Sequence, residues 1–364
     1  MERKLASIRR IGRIEKHSNA DTLEICHVDG WRVISRIGEF KEGELVVYCE
    51  VDSFLPVKEE FEFLRKSSFR KMGDKEGFRL RTIKLRQELS QGLILPLSVL
   101  NDPDHEEMQV GVSQQPWGDQ LQLGPYDNAL VIEEGVDVTE HLGIIKWDPP
   151  LPACLGGVAK GNFPSFIRKT DEERIQNLAN RYENLKKETY YFTEKLDGSS
   201  ATYYFKDGQF GVCSRNLDLV ETEGNTFWNI ARMFRIEEKL GSLESNFAIQ
   251  CEIIGEGIQG NPYKIKGQTF KVFNIFNIDT QEYLGISECI ELLKKINVDI
   301  PPIEMVPILG MGLPLPETIE ELIEEADGPS ELNGETMREG MVIRNHSRTV
   351  SFKAISNSFL LGEK

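Results

Sequence analysis

The chain contains the stretch Tyr191-Phe192-Thr193-Glu194-Lys195-Leu196-Asp197-Gly198, in which a β-prone apolar run ends in a lysine, an acid and a glycine. A glycine at this point permits a tight turn or a close approach of the backbone to a ligand. A lysine attacks as a nucleophile only after losing its proton, and partial burial and neighbouring cations both lower the pKa of a lysine. The stretch predicts a strand that presents Lys195 as a nucleophile, although a surface lysine beside an Asp-Gly turn gives the same triplet.

Polar groups recur in strand-like surroundings on the C-terminal side of Lys195. Arg215 follows a short strand pattern, and Glu252 lies inside the apolar run 250–255. The run 270–276 is rich in aromatic residues, Glu339 precedes another strand pattern, and Lys353 is a lone lysine in a strand near the C-terminus. An unpaired buried carboxylate is costly, so we expect Glu252 to have a specific partner.

This ordered set resembles the motifs of the covalent nucleotidyltransferases, which comprise DNA ligases, RNA ligases and mRNA capping enzymes, over about residues 170–353. The chain is most similar to the ATP-dependent RNA ligases that join a 3′-OH to a 5′-phosphate and carry an N-terminal OB domain. The segment 169–177, Lys-Thr-Asp-Glu-Glu-Arg-Ile-Gln-Asn, is similar to that branch as well. The resemblance implies a lysyl–AMP intermediate on Lys195, then an RNA-adenylate, then sealing of RNA ends or of a nicked duplex, as in RNA repair.

The resemblance also implies roles in nucleotide binding. Glu194 is expected to contact the adenine amino group, and Phe273 to stack on the adenine, with Phe276 as the second choice. Arg215 is expected to contact the ribose or a phosphate. Packing in the core is the alternative for either phenylalanine, and for Phe276 it is the favoured one.

Charge stabilisation is implied for four residues. Glu339 and Glu252 are expected to hold the ribose and, through water, Mg²⁺ or Mn²⁺, since these ions are often bound through one or two carboxylates. Lys353 is expected to meet the α-phosphate, and Arg174 the β- and γ-phosphates. The alternative for Arg174 is a solvated charge on a helix.

The last motif departs from the related ligases, which often carry Lys-x-Lys. Ser351 occupies the first position here and only Lys353 remains. This departure leaves open how the phosphate charge is shared, and it increases the expected importance of Arg174.

The N-terminal half has a resemblance of its own. The segments Ile11–Ile14 and His17-Ser18-Asn19-Ala20-Asp21-Thr22-Leu23 look like the opening of tRNA-binding OB modules. Between Arg65 and Arg86 nine Lys or Arg residues face two acids, a net charge of +7 within a chain of net charge −16. We predict that Arg79, Arg81, Lys84 and Arg86 contact RNA phosphates, while a solvated edge strand is the alternative. The basic positions change parity between Arg81 and Lys84, which predicts a bulge or bend there.

The predicted fold class is α+β. We expect a β-barrel OB-fold domain over residues 1–146, a Pro/Gly-rich linker over 147–164, and an adenylyltransferase domain over 165–364, ATP-grasp-like, with antiparallel sheets and flanking helices. Within the latter, helices are predicted from Thr170 (with Glu173 at capping-box spacing), over 226–240, over 287–296 and over 316–326.

Composition limits the class of protein. Hydrophobic residues make up 40% of the 364 residues and charged residues 28%, as in ordinary globular proteins. No apolar run is long enough for a membrane span, and the N-terminus shows no apolar signal stretch. Six scattered cysteines predict buried thiols in a reducing compartment. We therefore expect an intracellular, cytoplasmic protein without membrane contact, and a monomer.

Three alternatives stay open at this point. An mRNA capping guanylyltransferase uses the same lysine chemistry with GTP, and a DNA ligase uses it on DNA. Those enzymes commonly carry the OB domain after the last motif, whereas this sequence continues only to Lys364. The third alternative is a non-catalytic OB RNA-binding protein, against which the joint presence of Lys195, Arg215, Glu252, Glu339 and Lys353 argues.

Overall fold

The structure, a computed structural model, describes residues 4–101, 112–113, 120–121, 132–148, 158–298 and 301–362. The chain divides into two compact units. Met1–Pro150 and Gln176–Asn180 form the first unit, and Leu151–Ile175 and Arg181–Lys364 form the second. Gln176–Asn180, which the sequence placed in the C-terminal domain, therefore pack with the first unit. Residues 149–157 of the predicted linker lie outside the described residues.

In its described residues the first unit consists mainly of short strands, with one short α-helix, α1 (Arg65–Ser68), and 3₁₀ helices at Glu59–Leu64 and Leu97–Leu100. Its strands are β1 (Ala6–Lys16), β2 (Leu23–Val28), β3 (Trp31–Arg36), β4 (Leu45–Cys49), β5 (Ser53–Pro56), β6 (Phe69–Met72), β7 (Lys75–Arg79), β8 (Ile83–Leu85), β9 (Glu88–Ser90), β10 (Leu93–Leu95), β11 (Val112–Ser113), β12 (Gln120–Leu121) and β13 (Ile145–Lys146). Five of them form a sheet in the order β10-β4-β1-β2-β3. Its two ends meet where the amide of Gln91 donates to the carbonyl of Arg32 at 2.7 Å. This nearly closed barrel confirms the predicted β-barrel.

Alternating apolar residues fill the barrel. Ile11, Val28, Trp31 and Val46 belong to one buried cluster inside it. A second cluster includes Phe78 of the four-stranded sheet β13-β5-β7-β6. The strand β7 ends at Arg79 and the hairpin of β8 and β9 begins at Ile83 in a separate sheet, so the chain bends where the parity of the basic residues changes.

Residues Gln176 and Asn177 complete one side of the first unit. The amide of Gly30 donates to the carbonyl of Gln176 at 3.1 Å. The indole Nε1 of Trp31 donates to Oδ1 of Asn177 at 2.7 Å, and Nδ2 of Asn177 donates to Glu50 at 2.5 Å. A side chain at Gly30 would collide with the backbone of Gln176, so a glycine is needed for this approach.

The second unit contains two sheets with flanking helices. Its strands are β14 (Ala159–Asn162), β15 (Glu173–Arg174), β16 (Tyr190–Lys195), β17 (Ser199–Lys206), β18 (Gln209–Ser214), β19 (Leu217–Leu219), β20 (Phe247–Gly255), β21 (Gln268–Asn277), β22 (Glu282–Tyr283), β23 (Ile308–Leu313), β24 (Gly340–Asn345) and β25 (Ser351–Ile355). The helices are α2 (Tyr182–Leu185), α3 (Thr226–Met233), α4 (Ile236–Gly241), α5 (Ile286–Ile296), α6 (Ile319–Ala326) and α7 (Asn357–Leu361).

The sheet orders are β14-β19-β18-β17-β20-β21-β22 and β15-β25-β24-β16-β23. Strand β15 runs parallel to β25, and the other neighbouring strands of these two sheets are antiparallel. One face of the larger sheet packs against the helices in a core that includes Tyr203, Phe227 and Phe270. This architecture confirms the predicted α+β class.

Two helix predictions are corrected by the structure. The helix expected from Thr170 is wrong, because the backbone of Glu173–Arg174 pairs with Phe352–Lys353 in a sheet and 3₁₀ turns follow over Ile175–Arg181. The helix predicted over 226–240 is interrupted at Arg235, whose φ of 52° is left-handed.

Five cysteines in the described part of the chain are free and buried, as predicted; Cys154 lies outside it. Among the described residues, no helix has both the length and the apolar character needed to cross a membrane.

Candidate active site

Three neighbouring strands of the smaller sheet place polar side chains on one face. In the register of β16 and β24, Thr193 lies opposite Val342 and Lys195 opposite Gly340. In the register of β24 and β25, Val342 lies opposite Lys353. Because side chains alternate along a strand, Thr193, Lys195 and Lys353 share a face of the sheet. The lysine of the central motif and the lysine of the last motif thus belong to one surface.

The side chain of Lys195 forms an ion pair with Glu339. The distance from Nζ of Lys195 to Oε2 of Glu339 is 2.7 Å, and the two side chains are 28% and 15% exposed. Gly198 brings the following turn close to β20, since a Cβ there would collide with the carbonyl of Ile253 and the side chain of Glu252. The motif therefore needs glycine for a close approach of the turn to strand β20, whereas the sequence had suggested a tight turn or a close approach to a ligand.

The charges around Lys195 raise its pKa, whereas the sequence predicted a lowered pKa. Burial alone would lower the pKa of Lys195, but Glu339, Glu252 and Asp197 favour the ammonium and together raise the pKa above its usual value. The sequence led us to expect a lowered pKa from burial and neighbouring cations, and for these surroundings that expectation is wrong. The surroundings of Lys195 therefore favour its ammonium form.

Glu252 lies within β20, opposite Ser200 on one side and Lys271 on the other. Burial raises the pKa of its carboxyl to about 8; Glu339 and Asp197 raise it further, while Lys195 and Arg215 oppose the shift. The groups expected to partner Glu252 are therefore the cations Lys195 and Arg215. A further positive charge at this cluster would favour the ionised form of Glu252, because a nearby cation lowers the pKa of a carboxyl group.

A second group of charges lies around Asp171. Its Oδ1 accepts from Nζ of Lys353 at 3.1 Å, and its Oδ2 lies 3.7 Å from NH2 of Arg215. The side chain of Lys353 is only 10% exposed. The acid thus joins two of the residues that the sequence singled out, although the sequence gave Asp171 no role.

Arg174 lies in the sheet beside Lys353. The two residues are partners in the parallel register of β15 and β25, and Arg174 is buried. The alternative of a solvated helix charge is therefore wrong for Arg174.

Ser351, which replaces the first lysine of the last motif, has an arginine as its neighbour on the adjacent strand. Ser351 lies opposite Arg344 in the register of β24 and β25. The guanidinium of Arg344 is buried and contacts Glu172 at 3.0 Å. Burial would raise the pKa of Glu172, but Arg344, Ser351 and Arg348 together outweigh burial and the pKa is lowered. A buried cation therefore stands next to Ser351.

Phe273 borders an apolar cluster next to the Lys195 turn. The buried members of the cluster are Leu196, Ile254, Tyr263 and Val306. Phe273 packs against them and is itself partly exposed. Phe276 is fully buried elsewhere, in contact with Tyr283.

Glu194 points away from Lys195, to the other face of the sheet. Its side chain is buried, Oε2 accepts from the amide of Glu331 at 2.9 Å, and burial raises its pKa. The structure therefore brings Lys195, Glu252, Glu339 and Arg215 together, and it does not place Glu194 on their face.

The predicted RNA-binding residues differ in their surroundings. Arg79 is half-buried, lies 3.7 Å from Asp52, and stacks over Trp147 at 5.0 Å, so part of its role is structural. Arg81, Lys84 and Arg86 are exposed.

Sequence reasoning missed Asp171, Tyr263 and Arg344. The hydroxyl of Tyr263 accepts from the amide of Asp197 at 2.6 Å and so fixes the turn after Lys195. Asp171 lies in the quoted segment 169–177 and Arg344 in the quoted strand after Glu339, so their motifs could have indicated them. Within the described ranges, no three His, Cys, Asp or Glu side chains are arranged to hold a metal ion directly.

Comparisons with known proteins show the family of the chain. An RNA ligase family model matches residues 188–356, and an OB-fold domain model matches residues 5–97. A mutant of the Naegleria gruberi RNA ligase with ATP and Mn is 43% identical, with coverage of 98% of both chains and a TM-score of 0.85. The same ligase with PPi is 43% identical over 99% of this chain and 98% of that chain, with a TM-score of 0.85. Another mutant, with AMP and Mn, has 43% identity over 98% of each chain and a TM-score of 0.85. No curated protein sequence matches this chain.

Proposed function

Because this chain belongs to the RNA ligase family, we propose that it uses ATP to seal 3′-OH and 5′-phosphate RNA ends through a lysyl–AMP intermediate on Lys195. The observation that carries the proposal is the ion pair of Lys195 with Glu339 at 2.7 Å, in a cluster with Glu252 and Asp197. An ordinary surface lysine is not fixed among carboxylates in this way. The ion pair orients Nζ of Lys195 for attack as a nucleophile.

In the first step, Nζ of Lys195 forms a bond to the α-phosphorus of ATP and pyrophosphate leaves. The ammonium must first give up a proton, and Oε2 of Glu339 lies within hydrogen-bond distance to receive it. In the second step, a 5′-phosphate oxygen of RNA takes the AMP from Lys195. In the third step, a 3′-OH attacks that phosphate and releases AMP, so that one phosphodiester bond replaces one phosphoanhydride bond.

The residues around Lys195 fit a divalent cation. Glu339, Glu252 and Asp197 surround one ammonium, and burial among them raises the pKa of Glu252 to about 8. We propose that Glu252 and Glu339 hold Mg²⁺ or Mn²⁺ through water. The ion would neutralise phosphate charge during phosphoryl transfer. The relatives with ATP and Mn support this assignment.

The nucleotide would be bound by residues of the second unit. Phe273 is the proposed stacking partner of adenine, because it is partly exposed at the apolar cluster whereas Phe276 is buried. Glu194 is the proposed contact of the adenine amino group, although its buried side chain lies on the opposite face of the sheet from Lys195.

The phosphates would be bound by cations of the same unit. Arg215 is assigned to the ribose or a phosphate, Lys353 to the α-phosphate and Arg174 to the β- and γ-phosphates. Lys353 and Arg174 are register partners in one sheet, which supports their joint role.

The first unit would bind the RNA. Exposed Arg81, Lys84 and Arg86, together with half-buried Arg79, would contact phosphates of RNA ends or of a nicked duplex. We further propose that the enzyme acts as a monomer in the cytoplasm, in RNA repair.

The deciding experiment is incubation of the protein with ATP or GTP labelled at the α-phosphate, followed by denaturing electrophoresis. We expect label from ATP and not from GTP, and none in Lys195→Ala. Lys187→Ala, which changes an exposed lysine bound to Asn184 nearby, should label normally. Label from GTP would support a capping enzyme, and no label from either nucleotide would support a non-catalytic binding protein.

A second experiment separates RNA from DNA. The protein is given pre-adenylylated nicks in RNA or in DNA, which bypass the first step. Sealing of the RNA nick is expected, and preferential sealing of the DNA nick would favour a DNA ligase. Arg81→Glu should reduce sealing of the RNA nick, because it reverses an exposed charge of the proposed RNA-binding set.

A further inference from the structure

The hairpin of β8 and β9 has a strained turn. Its two turn residues, Arg86 and Gln87, have φ values of 47° and 77°. Two-residue hairpin turns of this kind usually contain Asn-Gly, because residues with a side chain are disfavoured in the left-handed region by roughly 1 kcal/mol or more. The chain nevertheless keeps an arginine and a glutamine there, so neighbouring contacts must offset the strain.

The segment His17-Ser18-Asn19 supplies those contacts. Nε2 of His17 lies 3.0 Å from the carbonyl oxygen of Leu85. Nδ2 of Asn19 lies 3.4 Å from the carbonyl oxygen of Arg86 and 3.2 Å from the side-chain oxygen of Gln87. Oγ of Ser18 donates to Glu88 at 2.6 Å. Three consecutive residues thus bind the last residue of β8, both turn residues and the first residue of β9.

The ring of His17 uses both of its nitrogens. Nδ1 accepts from the amide of Asn19 at 3.0 Å, so it carries no proton. The proton is then on Nε2, which donates to the carbonyl of Leu85. The ring is buried, at 1% exposure, which fixes the segment 17–19 and the hairpin together.

The outer side of this hairpin is exposed and basic. Lys84 and Arg86 are exposed, and so is Arg81 just before the hairpin. Ile83 and Leu85 are also exposed, at 40% and 36%. Cations beside apolar side chains suit a polynucleotide, whose phosphates attract the charges and whose bases and sugars cover the apolar groups. In a chain of net charge −16, this patch is an attractive place for a polyanion.

We propose that His17, Ser18 and Asn19 are positioning residues for RNA binding, which presupposes the RNA-binding role proposed above. They hold the strained hairpin in one conformation, so that Lys84 and Arg86 meet neighbouring phosphates of a single RNA strand. Because this order exists before RNA arrives, less conformational entropy is lost on binding.

The test uses the full chain and a fluorescently labelled, 5′-phosphorylated RNA strand, with anisotropy measured over a series of KCl concentrations. His17→Ala should weaken binding by about fivefold or more and should reduce the slope of log K against log [KCl], since phosphate contacts are lost. His17→Gln keeps a donor at the place of Nε2 and should restore most of the affinity. The shorter side chain in His17→Asn puts a polar atom only at the place of Nδ1, so this variant should restore little of the affinity for RNA.

His141, an exposed histidine, is the control for loss of a contact between a ring and a carbonyl. Its Nε2 lies 2.8 Å from the carbonyl oxygen of Leu100, which is the same kind of contact outside the hairpin. His141→Ala should therefore leave both the affinity and the salt slope close to those of the wild type. If His17→Ala does not fold, Asn19→Ala keeps the buried ring and should show the same loss of affinity and slope.

A double-mutant cycle separates this inference from the proposed function. In Lys84→Ala/Arg86→Ala, which should itself bind RNA more weakly, adding His17→Ala should cause little further loss, because the positioned cations are already absent. Fully additive losses, or normal binding by His17→Ala while Lys84→Ala/Arg86→Ala binds weakly, would overturn the positioning role alone. Normal binding by Lys84→Ala/Arg86→Ala would overturn both the positioning role and the assignment of this hairpin to RNA.

Discussion

The ammonium of Lys353 lies 3.1 Å from Oδ1 of Asp171, and the same carboxylate lies 3.7 Å from the guanidinium of Arg215. One acid therefore faces two of the cations to which we assign the nucleotide. Because Lys353 is 10% exposed, most of its charge is balanced within the protein rather than by water.

Asp171→Asn should remove this balancing charge. We expect the free energy of unfolding to fall by about 1–3 kcal/mol, measured by urea denaturation without nucleotide. Adding ATP should then raise the melting temperature more than it does for the wild type, because the phosphates supply the missing anion. Glu335→Gln, which breaks the exposed pair with Lys264, is the control and should change stability little. A smaller ATP-dependent shift in Asp171→Asn than in the wild type would contradict this account.

Glu339→Ala and Lys353→Ala should each slow self-adenylylation by at least about tenfold, since each removes charge stabilisation of a phosphoryl-transfer transition state. The rate is measured in single turnover with labelled ATP, and circular dichroism checks that each variant is folded. Near-normal rates in both variants would mean that the last two motifs have been assigned to the wrong residues.

The ionisation of Lys195 can be tested without catalysis. Glu339, Glu252 and Asp197 together raise the pKa of Lys195, so its amine should react with trinitrobenzenesulfonate only at a higher pH than an ordinary lysine. In Glu339→Gln one carboxylate is lost, the ammonium is less favoured, and the pH at which labelling reaches half its maximum should move down. Mass spectrometry of the Lys195 peptide, compared with the Lys187 peptide, gives the result. An unchanged midpoint would show that Glu339 does not control the ionisation of Lys195.

Glu252 should make stability depend on pH. Its pKa is about 8 in the folded chain and 4.5 in the reference state, so the folded chain binds more protons between these values. The stabilisation is complete below about pH 4.5 and is lost as the pH rises through about 8. Without nucleotide or divalent metal, urea denaturation should show a loss on the order of 4 kcal/mol from about pH 5 to about pH 8.5. Glu252→Gln should flatten this dependence, and an equal slope in both proteins would show that another group titrates.

The strands were predictable because their signals are local. The apolar run before Lys195 and the run around Glu252 each fall in strands at the expected places, β16 and β20. Arg174 was harder, since Thr170 and Glu173 have the spacing of a capping box. Pairing of Glu173–Arg174 with β25 prevails over that local preference, and nothing in the segment itself indicates the partner strand.

The charges of the site were less predictable because they depend on distant residues. Asp171 meets Lys353 across 182 positions of the chain, and Lys195 meets Glu339 across 144. The motif around Lys195 predicted a nucleophilic lysine, which stays a prediction, and it did not predict the direction in which the pKa of Lys195 is shifted. That direction depends on Asp197 of the motif itself and on Glu252 and Glu339, which come from distant parts of the sequence.

The placement of Gln176–Asn180 has a consequence for the origin and engineering of such enzymes. These residues belong to the first unit, yet they are encoded inside the sequence of the second. A recombination event that exchanged residues 1–146 for another barrel would leave Asn177 without the indole of Trp31 and the carboxylate of Glu50. Residues 1–146 therefore cannot be exchanged without Gln176–Asn180. A chimaera should work only if the five-residue segment travels with the barrel that it completes.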